Sequence, residues 1–285
     1  MRPYLAPVAE MVRRHDHDRF QTGLFAPARK RNALFALYAF NYEIARVRET
    51  VTEPMLGQIR LQWWREVVET AYAGTAPRQH VVAIALTEAI REFALTRSEL
   101  DRLIDSRERD LDPAPPPTLA ALEDYAEESS VPLVILALEV LGERGAPARA
   151  VAREVGIGYA LAGLLRAIPF HAAAGRYYIP ADVAARARID LREIRLSPGH
   201  STGHSTLRAA VAEIAVVASR HLDAALEERA AIPRSAIAAV LPAVVANRFL
   251  ARLRRVDYNP FDPQLARPDN MQVWRLAVAT LLRRF

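Results

Sequence analysis

Apolar positions recur three and four residues apart along almost the whole chain, and short breaks carrying Gly or Pro separate one such run from the next. Residues 34–49, LFALYAFNYEIARVRE, read as the helix around which the rest is organised. Tyr38, Asn41, Ala45 and Glu49 share one stripe of it, and Leu37, Phe40, Ile44 and Val47 supply apolar surface beside that stripe. A second helix, 156–166, is rich in glycine and alanine that permit close approach, and Arg166, Ala167 and His171 follow along one side, expected to face the first stripe. Further helices are predicted over 6–20, 56–73, 79–93 and 98–110, with Ile59, Trp63, Val67 and Ala71 on one face of the second and Ser98 as N-cap of the last. Thr118 caps a helix beginning LAALEDYAEESS, an apolar helix spans 133–141, and another runs from about 147 into the glycine segment. Helices 207–231, 236–254 and 271–285 complete the set. Between them, 22–27 and 257–263 are turns, 112–117 is a stiff proline connector, Pro169 ends or kinks the helix before it, and 175–180, GRYYIP, is an extended flap.

That pattern predicts an all-α fold, and no long structureless linker divides the 285 residues, so one domain is expected. Composition agrees: 51% of residues are hydrophobic, Ala, Leu and Arg dominate, and only 11 are Gly. The formal charge is +5, carried almost wholly by arginine, since Lys30 is the single lysine. No basic run alternates with aromatics, which argues against nucleic acid, whereas the mild basic balance suits a diphosphate or an anionic membrane surface. The absence of cysteine excludes disulfides, thiol nucleophiles and thiolate metal sites. The first twenty residues lack the apolar core of a signal peptide, and no run of about 18 apolar residues marks a membrane span. A cytoplasmic protein, at most peripheral on the inner face of a membrane, is expected. The last helix sets Trp274, Leu281, Leu282 and Phe285 against Arg275, Arg283 and Arg284, a pattern suited to a bilayer surface or to packing on the body.

Candidate chemistry is sparse. His15 and His17 beside Asp16 and Asp18 form a polar run whose members point to different sides of a helix, as a solvated face does. His200 and His204, in the near-repeat SPGHSTGHST of 197–206, would share a helical face, but Gly199 and Gly203 favour a loop. No GxSxG elbow, HExxH, P-loop or GxGxxG fingerprint is present.

Five blocks, in order, carry a resemblance to the squalene/phytoene synthase family of head-to-head prenyl transferases: LFAPARKRNALFALYAFNYEIARV, RLQWWREVVETAYAG, RERDLDPAPPPTLAALEDYAEESS, GYALAGLLRAIPFHAAAGRYYIP and VANRFLARLRRVDYNPFD. The resemblance implies an isoprenoid-synthase-type helical bundle around a central cavity. It also implies two DxxxD motifs on facing helices whose carboxylates hold Mg²⁺ ions that bridge substrate diphosphates. Here the first motif falls on Ala45 and Glu49 and the second on Ala167 and His171, so one carboxylate remains of four and no metal or other cofactor is expected. Arg166, Arg176, Tyr178 and Pro180 keep the family pattern around the second motif. With Tyr38, Asn41, Arg46, Arg48, Glu49 and His171, the first three of these are the candidate ligand-binding residues; an arginine-lined pocket can take a phosphate or lipid headgroup without metal. The ordinary alternative leaves Arg46 and Arg48 solvated or paired with Glu43, Glu49 or Glu66, and Tyr38 and Asn41 as packing residues. The phrases FALYAFNYEIARV, RLQWWREVVE and LRAIPFH most resemble the family's non-catalytic branch, which includes a mitochondrial assembly factor for respiratory complex I. The resemblance thus implies a pseudoenzyme that works with complex I subunits or their assembly intermediates. The alternatives are an active prenyl transferase, Mg²⁺-dependent, with a rearranged site built on Glu49, His171 and acids such as Asp110 or Glu43, and a carrier of prenyl or anionic lipid.

Overall fold

The computed structural model describes residues 5–191, 194 and 203–285, and every regular element among them is helical. In order these are α1 (Leu5–His15), α2 (His17–Gly23), α3 (Ala28–Ala45), α4 (Pro54–Tyr72), α5 (Val81–Phe93), α6 (Arg97–Ser106), α7 (Leu119–Leu141), α8 (Ala146–Arg166), α9 (Ile168–Ala173), α10 (Ala181–Ala187), α11 (Gly203–Glu227), α12 (Pro242–Arg255), α13 (Pro263–Ala266) and α14 (Gln272–Leu282). Single 3-10 turns cover Val47–Thr50, Arg109–Leu111, Arg229–Ala231 and Arg234–Ala239.

A helix apolar on all sides belongs in the middle of a bundle, and α7 is one: every residue from Ser129 to Leu141 is buried. Helices α3, α6 and α8 pack on it, and α8 in turn carries α11. Two glycines set these spacings. A Cβ on Gly156 would stand 2.8 Å from the Val131 Cα, and one on Gly158 would stand 2.6 Å from the Leu222 Cγ, so α8 meets α7 and α11 at distances a side chain would forbid. Pro132, inside α7, forgoes one backbone hydrogen bond without ending the helix, because burial on all sides outweighs it.

The structure redraws several predicted boundaries for local reasons. The predicted helix 6–20 is two helices, since Asp16 caps α2 by accepting from the Arg19 backbone N–H at 3.1 Å. The central helix begins earlier, at Ala28, and ends at Ala45; Glu49 sits on the 3-10 turn that follows, ahead of β-branched Val51 and Thr52 and of Pro54. On α4 the inward residue is Trp64 rather than Trp63, and Ile59 is exposed. Thr96, not Ser98, occupies the N-cap position of α6, its hydroxyl donating to the buried Glu139 carboxylate at 2.6 Å. The segments on either side of Pro132 form one helix. The predicted loop 197–206 is helical from Gly203 onward; the rest of it, including His200, and the His204 side chain lie outside the described residues. Among the described residues no helix is long and apolar enough to cross a membrane.

One buried polar contact ties three of the central helices. His221 of α11 places Nδ1 2.6 Å from Glu154 of α8 and Nε2 3.0 Å from Glu123 of α7. The hydrogen bond to Glu154 raises the imidazole pKa above its ordinary value, and the same bond lowers that of Glu154. The folded state therefore holds the His221 proton more tightly than the unfolded chain, and its contribution is lost as pH rises through the raised pKa. For His221→Gln we expect a loss of about 1 kcal/mol at pH 6, after allowance for partial solvation. Urea midpoints from pH 6 to 9 should show the wild-type advantage shrinking, and a constant advantage would remove the charge from the explanation.

Candidate functional site

At the end of the bundle where α3 stops, a buried polar network closes the space between α3, α7 and the flap. Its centre is Asp110, 7% exposed, on the 3-10 turn after α6. One oxygen of its carboxylate accepts from the Tyr125 hydroxyl at 2.7 Å and from the Tyr178 hydroxyl at 2.8 Å, and the other lies 3.5 Å from the Arg107 guanidinium. Arg107, whose side chain is only 10% exposed, also donates to the Asn41 side-chain oxygen at 3.3 Å, to the Ser129 carbonyl at 3.2 Å and to the Tyr125 hydroxyl at 3.3 Å. Burial drives the Tyr125 hydroxyl well above its ordinary pKa, with the Asp110 charge acting in the same direction, so it stays protonated and donates. Tyr178 is raised for the same two reasons.

The flap is fastened to this network. The Tyr178 ring lies 4.7 Å from the His171 ring, the Arg176 backbone N–H donates to the His171 carbonyl at 2.9 Å, and the Arg176 guanidinium reaches Glu49 at 3.8 Å. Burial lowers the His171 pKa to about 4, with the neighbouring Arg176 cation helping and Asp110 opposing. Nδ1 of that neutral ring has no hydrogen-bond partner among the described residues. Outside the flap, a pocket of about 510 Å³ opens between it and the proline connector, lined by Tyr125, Arg176, Tyr177 and Tyr178 on one side and by residues 112–117 on the other. The connector is held in place by the backbone N–H groups of Ala181 and Asp182, which donate to the Pro116 and Pro117 carbonyls.

Of the residues predicted from sequence, the structure gathers Asn41, Glu49, His171, Arg176 and Tyr178. It does not gather the others. Pro169 cannot continue α8, so the chain breaks at Ala167 and restarts as α9, which leaves Arg166 and His171 on different helices. Arg166 turns to Asp18, 2.6 Å away, on the side of α2 and α14. Tyr38 lies in a separate buried cluster with Arg19, whose guanidinium also covers the Tyr159 ring at 4.6 Å. Arg46 pairs with Glu43 at 3.7 Å and sits over the Tyr42 ring; Arg48 donates to the Val51 carbonyl at 3.4 Å. Arg46 lines a separate pocket of about 180 Å³ with Arg60, Glu43, Trp63 and His80, and neither Arg46 nor Arg48 lines the pocket beside the flap. Arg109 and Arg176 line the pocket against Asp110, Asp112 and Asp124. The sequence offers Asp110 only within the rearranged-site alternative and singles out neither Arg107 nor Tyr125. Their signal, RERD followed by LEDY, is visible in the chain, but spacing alone cannot bring residues 15 apart on two elements to one carboxylate.

The residues present do not fit the family's Mg²⁺ site. Magnesium bridging diphosphates needs several carboxylate oxygens on facing helices. Ala45 and Ala167 offer none, His171 offers a partly buried neutral ring, and Glu49 faces a guanidinium. Among the described residues no three His, Asp or Glu side chains cluster as metal ligands.

The chain is 31% identical over 277 residues to NADH dehydrogenase (ubiquinone) complex I, assembly factor 6 of Bos taurus, which covers 97% of this chain and 81% of the relative. A presqualene diphosphate synthase of Rhodopseudomonas palustris is 25% identical over 171 residues, 60% of each chain. Among solved structures, a dehydrosqualene synthase in complex with ligand superposes with a TM-score of 0.83 over 98% of this chain and 96% of its own, at 18% identity, which establishes the shared fold. The squalene/phytoene synthase model matches residues 12–276, and with a helical bundle of that type and a relative of 31% identity along nearly its whole length, this chain belongs to the squalene/phytoene synthase family.

Proposed function

We propose that this chain is a catalytically silent member of the family that acts as an assembly factor for respiratory complex I. The observation that carries the reading is the state of the two motifs. Three of four carboxylate positions are Ala45, Ala167 and His171, and the fourth, Glu49, is turned toward Arg176 while the ground between them is bridged by Arg107, Asp110 and Tyr178. A diphosphate brought there would meet no metal cage. The 31% identity to a complex I assembly factor over 97% of the chain supports the positive half of the proposal. A fold alone would not, since one fold serves many functions.

The test is a deletion strain in which complex I assembly is followed by native gel and NADH:quinone activity. The wild-type chain and Glu49→Gln should restore assembly equally, because no step depends on the carboxylate as a metal ligand. Purified protein incubated with farnesyl or geranylgeranyl diphosphate, Mg²⁺ and NADPH should give no C30 or C40 product above a heat-killed control, and EDTA should leave its melting temperature unchanged. Product that disappears in Glu49→Gln would overturn the silent reading in favour of a rearranged prenyl transferase. Normal complex I in the deletion strain would overturn the assembly reading.

A further inference from the structure

The strongest unassigned feature lies away from the motifs, where α14 crosses α12. Leu276 and Ala279 of α14 pack inward. Its opposite face is apolar and open: Trp274 is 68% and Leu281 74% exposed, and Val278 and Leu282 are exposed between them. An isolated exposed leucine means little, but a stripe of four large apolar side chains along one short helix is a surface with a use.

Beside that stripe is a pocket of about 260 Å³ whose wall holds five guanidinium groups, those of Arg166, Arg248, Arg252, Arg267 and Arg275, against the carboxylates of Asp18 and Asp269. The pocket is built rather than incidental. Asp269 accepts from Nε of both Arg248 and Arg275 at 3.2 Å, while Asp18 is held by Arg166 at 2.6 Å and by the Gln272 side-chain amide at 2.9 Å. Arg252 donates to the backbone carbonyls of Gln264 and Arg267. Among the described residues neither Arg252 nor Arg267 has a carboxylate partner, so the pocket keeps uncompensated positive charge. Arg275 and Trp274 are successive residues of α14, which places this charge directly alongside the apolar stripe. Arg284, exposed, adds a cation beyond the other end of the helix.

We infer that this face docks on an anionic bilayer surface, with Trp274, Val278, Leu281 and Leu282 entering the headgroup and upper acyl region and the arginine pocket taking a lipid phosphate. A helix of eleven residues, roughly 16 Å long, lies flat on such a surface with its apolar side down and its cations at headgroup level. Tryptophan is favoured at that depth because its ring is apolar and its N–H is not. Charge complementarity selects the occupant: five arginines against two carboxylates, beside an apolar stripe, match phosphates set over acyl chains, and each uncompensated cation close to an anionic leaflet is worth roughly a fivefold gain in binding. The same feature explains what Arg166 does, since its partner Asp18 lines this pocket and not the flap. The inference stands apart from the complex I reading, because its readout needs no complex I.

The experiment uses the full chain with vesicles of phosphatidylcholine alone or with about one-third phosphatidylglycerol, read by flotation. The chain should float with the anionic vesicles, release as salt is raised, and stay unbound with phosphatidylcholine alone. Arg252→Gln with Arg267→Gln should weaken binding roughly tenfold or more, and Trp274→Ala with Leu281→Ala should do the same. Arg267, Trp274 and Leu281 are exposed, so Arg267→Gln alone and the Trp274→Ala, Leu281→Ala pair should lose binding at unchanged melting temperature; Arg252 also holds two backbone carbonyls, so the arginine pair is read against Arg267→Gln alone. Failure of the wild-type chain to float with anionic vesicles would overturn the inference, as would variants that float as well as wild type. Retention of a protein partner through Trp274 by a chain that ignores vesicles would overturn it in favour of a protein interface. A pocket that takes inorganic phosphate while the apolar variants still float normally would reduce the site to a free-phosphate site and overturn the docking surface.

Discussion

Asp110→Ala should lower the unfolding free energy by about 3–5 kcal/mol, because it strands a buried cation. The Arg107 side chain is 10% exposed, and Asp110 is the carboxylate within ion-pair distance of it, at 3.5 Å. Asn41, Ser129 and Tyr125 would still accept its N–H groups, but neutral acceptors do not offset the desolvation of a guanidinium. Two tyrosine hydroxyls would lose their acceptor as well. Replacing the pair together, by Arg107→Met with Asp110→Leu, should recover much of the loss, since it removes both charges instead of orphaning one. The flap gives a second readout. With the Tyr178 tie gone, cleavage by trypsin after Arg176 should accelerate well beyond what lower global stability produces at other arginines. A loss under about 1 kcal/mol with an unchanged Arg176 cleavage rate would show that Asp110 does not fasten the flap.

The network also shows where sequence reasoning carried and where it stopped. The helices were legible because each buries a stripe with the 3.6 period, and the extended flap followed from Pro169, Gly175 and Pro180. The all-α bundle and its family came from the same patterns and from five ordered blocks. The site was legible only along single elements. Asn41 and Glu49 were grouped because both lie on one predicted stripe, yet they arrive by different routes, Asn41 through Arg107 and Glu49 through Arg176. Arg166 and His171 are close in the chain, but one proline, by restarting the helix at Ile168, leaves Arg166 against Asp18 and His171 against Tyr178 of the flap. Burial side was misjudged at Trp63 and Trp64 for a related reason, since adjacent positions differ by 100° and a stripe can be fitted through either. Contacts between elements, such as Tyr178 on Asp110 across 68 residues, have no periodicity to reveal them.

The second large effect is a dependence of stability on pH carried by His171. Its folded pKa is lowered to about 4, first by burial and then by the Arg176 cation, against about 6.5 for an exposed imidazole. At neutral pH the ring is uncharged in both states. Below about pH 6.5 the unfolded chain takes up a proton that the folded ring refuses, so stability falls as pH drops, until near pH 4 the folded ring accepts it too. The full difference corresponds to about 3 kcal/mol, and partial solvation of the ring brings the expected loss to on the order of 2 kcal/mol. His171→Phe keeps a ring against Tyr178 without the titration, and should lose this portion of the acid sensitivity while leaving stability at pH 7 nearly unchanged. The carboxylates of Glu154 and Asp18, both lowered in the folded state, also weaken the fold as pH falls, so the test is the difference between wild type and variant from pH 7 to 4. The sign of that difference bears on the site's history. An aspartate at this position, as the metal-binding pattern of the family requires, would set a second carboxylate near Asp110, tolerable only with cations to neutralise both. Here a neutral ring stands beside Tyr178, and Arg107 supplies the charge that Asp110 requires. If the acid slope survives in His171→Phe, the imidazole is not what makes the flap acid-sensitive, and the depressed carboxylates alone account for it.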